Sequence, residues 1–137
     1  MTHTAKRTAE INAYADRLSA LAIGEGVTGS LWTDAEAFTI IKRTATTMTL
    51  RQDKATLVPE FKPEFIAGGF AGHCVNQDEQ TYTYEPDLKG PTTKVSLRRW
   101  TDDEGNERRL WKQAGFRAFE RGGSVYPGRH KFHDYNF

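Results

Sequence analysis

The chain has 137 residues, 37% hydrophobic and 12% aromatic, with a formal charge of +1; this is the size of one domain with a core of its own. A single cysteine excludes an internal disulfide framework and suits a reducing cytoplasm. No apolar run approaches the roughly 18 residues of a membrane span, and no apolar segment follows residues 1–7 to make a signal peptide.

The charge is uneven. Residues 1–88 carry 8 Lys/Arg and 12 Asp/Glu, a balance of −4, whereas residues 89–137 carry 11 and 6, a balance of +5. A basic C-terminal part attracts phosphates, and it is equally the composition of a solvated strand face.

In chain order, residues 4–22 read as an amphipathic helix. Ile11, Tyr14, Ala15, Leu18, Leu21 and Ala22 fall on one face at the helical period. Thr4 is placed to cap the start and Gly24 to stop the end. The narrow apolar face docks on the sheet or packs against the same helix of another copy, which would make it an oligomerisation element. Gly24-Glu25-Gly26-Val27-Thr28-Gly29-Ser30 reads as a linker. It lacks the Lys-Ser/Thr ending of a phosphate-binding loop.

Beyond residue 30 the pattern is that of strands. Residues 37–43 and 47–52 are short and rich in Thr, Ile and Phe. Thr44-Ala45-Thr46 joins them as a hairpin, and Met48 and Leu50 alternate with Thr47, Thr49 and Arg51 as in a strand with one wet face. Pro59 and Pro63 favour an extended excursion. Residues 81–86 form a strand with Tyr82 and Tyr84 on one face. Residues 94–100 form another, with Val95 and Leu97 toward the core. An acidic turn at 102–106 returns the chain to residues 109–113 as the hairpin partner. Residues 116–119 suit a last short element, and a tail that ends on aromatics is expected to be tied down. The fold class expected is α+β, in a single domain spanning residues 1–137: an N-terminal amphipathic helix, then a compact antiparallel β-meander or small barrel of about six short strands.

Residues 68–80 concentrate the polar chemistry. Gly68, Gly69 and Gly72 stand with His73, Cys74, Asn76, Gln77, Asp78, Glu79 and Gln80. Such a loop recognises something polar or locks itself in place as an Asx-type turn. Adjacent His73 and Cys74, and His130 three residues before His133, do not match zinc-ligand spacing, so no metal is expected. Cys74 beside His73 shows no oriented base and no oxyanion hole, and no carboxylate pair suggests acid–base chemistry. No catalytic residue is assigned, the chain is not expected to be an enzyme, and no cofactor is implied.

Ligand binding has more support. Arg43, Arg51, Arg98, Arg99, Arg109 and Arg129 offer planar forks suited to phosphate. Phe70, Tyr82, Tyr84, Trp100 and Trp111 are able to stack on a base, although most aromatics of a small domain serve its core. Asn76, Gln77 and Asp78 are suited to a base edge or ribose hydroxyls. This mixture fits a nucleotide and a single-stranded nucleic acid equally well.

Residues 37–44, residues 50–56, Phe61-Lys62-Pro63-Glu64, the segment 68–77 and the ending from Pro127-Gly128-Arg129 to Asp134-Tyr135-Asn136-Phe137 together resemble a family of small proteins encoded by phages and prophages. The resemblance covers roughly residues 26–137, and the turn from Asp102 to Arg109 is longer than it implies. In outline the chain is also similar to phage anti-Thoeris sponges. That similarity implies an oligomer in the infected host's cytoplasm that sequesters a cyclic ADP-ribose signal without cleaving it and so counteracts bacterial defence.

The ligand-binding set expected is Arg43, Arg51, Phe70, His73, Asn76, Gln77, Asp78 and Arg129. In it Arg51 and Arg129 hold phosphates, Phe70 stacks on adenine, and His73, Asn76 and Gln77 bond base or ribose. The alternative is a small phage inhibitor that binds nucleic acid or protein through its basic C-terminal strands.

Overall fold

The computed structural model describes residues 3–31, 33–67, 72–118 and 122–136. Among these residues a helix, α1 (His3–Ser19), precedes ten strands: β1 (Gly26–Leu31), β2 (Asp34–Arg43), β3 (Thr47–Gln52), β4 (Lys54–Leu57), β5 (Phe65–Ile66), β6 (His73–Cys74), β7 (Tyr82–Glu85), β8 (Thr92–Thr101), β9 (Glu107–Gln113) and β10 (Val125–Pro127). Six of them form one sheet in the order β10-β1-β2-β3-β8-β9, and every neighbouring pair is antiparallel. A bridge between Lys112 and Ser124 brings the two outer strands together and nearly closes the sheet into a barrel. The fold is thus the expected α+β arrangement of a helix before a small antiparallel barrel. The excursion between β3 and β8 is more regular than its prolines suggest, because it carries two two-stranded ribbons, β4–β7 and β5–β6. Among the described residues no helix is long and apolar enough to cross a membrane.

Two differences from expectation lie at the N-terminal end of the fold. The helix stops at Ser19 rather than residue 22, because the Ala20 and Leu21 amides bond back to Arg17 and Leu18 over three residues, a tightened last turn. The glycine-rich stretch is no linker but β1, an interior strand between β10 and β2. A Cβ on Gly26 would lie 2.6 Å from the Arg129 guanidinium carbon, and one on Gly29 would lie 2.9 Å from both the Phe38 ring and Gln113 Nε2. These glycines provide space for side chains crossing the strand.

The core gathers Val27, Phe38, Ile40, Met48, Leu50, Val95, Trp111 and Val125 with Ala15 and Leu18 of α1. Of the two expected uses of the helix, the chain shows docking on its own sheet. Arg109 reaches Asp16 at 2.6 Å, Trp111 Nε1 donates to Ala15 O at 3.3 Å, and Asn12 takes the Arg109 amide at 2.9 Å. One irregularity matters for the surface. Ile40 pairs with Leu50, but the next pairs are Lys42 with Thr49 and Arg43 with Met48, so Ile41 is an extra residue in β2. Such a bulge exchanges the faces of the residues after it. Lys42 therefore points away from the core and Arg43 toward it.

Candidate functional site

The expected ligand residues separate into three places. Arg129 lies on the strap that follows β10, where its Nε donates to Asp53 Oδ2 at 2.8 Å and its Nη2 to Thr39 Oγ1 at 3.0 Å. Thr39 in turn donates to Asp53 Oδ1 at 2.6 Å. The Arg129 fork is thus already occupied by a carboxylate whose side chain is only 2% exposed.

The polar loop at 72–80 bonds chiefly to its own surroundings. Asn76 Oδ1 accepts from the Glu64 amide at 2.7 Å, and its Nδ2 donates to Lys62 O at 2.9 Å. Gln77 Oε1 accepts from the Tyr135 amide at 2.9 Å. Gln80 uses both ends of its amide, toward Gln77 O, His133 O, the Tyr82 hydroxyl and the His133 amide, at 2.6–2.9 Å. Asn136 brackets Cys74 by bonding both its amide and its carbonyl. His73 and Asp78 are exposed, and Phe70 lies outside the described residues. The self-locking alternative accounts for Asn76 and Gln77 here. The adjoining cleft of about 400 Å³ is lined by Glu60, Glu64 and Glu79 against Lys62, a field that repels phosphate.

Arg43 and Arg51 lead elsewhere. A groove of about 800 Å³ lies on β2, β3 and β8; Lys42, Arg43, Lys94 and Arg98 are among its lining residues, and no carboxylate is among the described ones. Thr49 pairs with Lys42 on one side and Lys94 on the other, and Thr47 pairs with Ser96. Paired residues share a sheet face, so one exposed row reads Lys42, Thr49, Lys94, followed by Thr47 and Ser96. Lys42 and Lys94 stand two strands apart, a span of about 10 Å between backbones. Arg98 Nε is held by Ser96 Oγ at 2.7 Å. Arg43 is also among the lining residues. Its guanidinium bonds the Leu18 and Leu21 carbonyls at the end of α1 and lies 5.8 Å from the Trp111 ring centre. Arg51 occupies the next row, between Thr39 and Thr92, and its buried Nε has no hydrogen-bond partner among the described residues.

Lys42, Thr49, Lys94 and Ser96 were outside the expected set. Their trace in the sequence is the alternation of polar residues at every second position in three strands, but which rows coincide depends on the bulge. The Arg109 fork holds Asp16 below its ordinary 3.8, and backbone amides led by Asn106 hold Asp102 below the same value. Burial raises the Tyr82 phenol above its usual 10.0. Among the described residues no group of three His, Cys, Asp or Glu is placed to hold a metal ion.

Compared with known proteins, the chain matches no family model, no curated protein and no solved structure.

Proposed function

We propose that the chain binds a phosphate-bearing nucleotide in the groove on β2, β3 and β8 and holds it without turnover. The observation that carries this reading is the in-register row Lys42–Thr49–Lys94, with Arg98 beside it and no carboxylate among the described residues that line the groove. Two ammonium groups, a guanidinium and several hydroxyls on one concave surface are the donors a phosphate needs. The volume of about 800 Å³ falls within the range of small-molecule sites, roughly 300–1,000 Å³. The finer reading rests on the resemblance to phage sponges: a phage-encoded oligomer that sequesters a cyclic ADP-ribose isomer against bacterial defence.

Native mass spectrometry of the full chain with cyclic ADP-ribose isomers tests both levels. The expected result is an oligomer carrying ligand of unchanged mass, with Lys42→Ala and Lys94→Ala each losing it. A chain that binds no isomer removes the sponge reading. Retention of ligand by both variants removes the groove as its site.

A second reading is single-stranded nucleic acid along β8, favoured by Lys94 and Arg98 on the same strand face. It requires affinity that falls steeply with salt; a salt-insensitive interaction would exclude it.

A further inference from the structure

We infer that Ile23, rather than an aromatic side chain, supplies the apolar face against which the ring of a bound nucleotide rests. This inference depends on the groove being a nucleotide site. Ile23 is 62% exposed. A single exposed isoleucine on a convex surface is ordinary, but this one lines the basic groove. The backbone around it is pinned. The Gly24 amide donates to Ile40 O at 2.8 Å, the Ile40 amide to Glu25 O at 3.0 Å, and the Ala22 amide to the Glu25 carboxylate at 2.7 Å. Those bonds continue the β1–β2 pairing, in which Gly26 opposes Thr39, back toward the helix. Ile23 and Lys42 both line the groove.

The turn therefore presents a branched apolar side chain next to a cation, at one edge of a row of phosphate donors. Among the described residues no aromatic side chain lines the groove, so none of them offers a ring to stack on there. A nucleotide has the complementary pair of features, an anionic group for Lys42 and Lys94 and a flat, weakly polar ring for an aliphatic wall. Inorganic pyrophosphate has only the first.

The test compares ADP with inorganic pyrophosphate by calorimetric titration of the full chain and its variants. ADP is expected to bind the natural chain more tightly than pyrophosphate. Ile23→Ser should weaken ADP about tenfold through lost apolar contact and leave pyrophosphate unchanged, whereas Ile23→Leu keeps both. Lys94→Ala should weaken both. Equal affinity of the natural chain for ADP and pyrophosphate, or an Ile23→Ser variant that binds ADP as before, would overturn the role of Ile23 and leave the phosphate site standing. A natural chain that binds neither probe would overturn the nucleotide reading, and this inference with it.

Discussion

Arg129 and Asp53 are 76 positions apart in the chain, yet Arg129 Nε meets Asp53 Oδ2 at 2.8 Å beneath the C-terminal strap. The pair is asymmetric: the carboxylate side chain is 2% exposed and the guanidinium side chain 33%. Removing the cation would leave a buried carboxylate with Thr39 as its remaining side-chain partner among the described residues. Arg129→Ala is expected to lower unfolding stability by about 2–3 kcal/mol, moderated by the partial exposure of the arginine. Arg129→Lys should recover little, because one ammonium does not reproduce the fork that serves both Asp53 and Thr39. Urea denaturation measures both. A loss below about 0.5 kcal/mol for Arg129→Ala would mean that the pair contributes little more than a surface contact.

Gly26 is coupled to the same pair. A methyl group there would displace the Arg129 side chain and weaken its contact with Asp53. Gly26→Ala is therefore expected to cost nearly as much as Arg129→Ala, and the double variant little more than either alone. Additive losses in a double-mutant cycle would show that Gly26 is needed for another reason.

The strap beyond Arg129 is held residue by residue. Its last described contact is the Asn136 side chain on both backbone groups of Cys74. Asn136→Ala should cost about 1–2 kcal/mol and unseat the end of the strap. Cys74 is free and buried, so its thiol reports the change. The expected outcome is faster labelling by a thiol reagent under native conditions. An unchanged rate would mean that the strap end does not shield the sulfur.

Two carboxylates contribute to the acid limb of stability. Arg109 grips Asp16 through Nε and Nη2 at 2.6 and 2.7 Å, and Asp102 accepts from the Asn106 and Glu104 amides at 2.9 and 3.0 Å. Both carboxyls are held below their ordinary 3.8 in the folded chain. The unfolded chain therefore binds protons first as the pH falls below that value, and the stability these groups add at neutral pH is lost as the pH drops through their folded values. Denaturation midpoints between pH 7 and about pH 2 should decline in this acid window. The decline should be shallower in Asp102→Asn, which keeps a side-chain oxygen for the turn but cannot titrate. An identical pH profile for that variant would remove Asp102 from the account.

The sequence by itself determined the class of fold. Helical spacing of Ala15 and Leu18, alternation of Met48 and Leu50 with threonines, and the acidic turn before residues 109–113 are local signals, because burial acts at the period of each element. The aromatic ending likewise pointed to a tail tied down. Other features depended on residues distant in the chain. Glycines 26 and 29 looked like a linker because the side chains that need their space, Arg129, Phe38 and Gln113, come from other strands. Arg129 looked available to phosphate because its partner Asp53 lies 76 positions away. The basic row was hidden because the extra residue at Ile41 decides that Lys42, not Arg43, shares a face with Thr49 and Lys94. Only the tertiary structure decided these points, since pairing register and side-chain neighbours arise from the closure of the whole sheet, whereas periodicity is written into each strand.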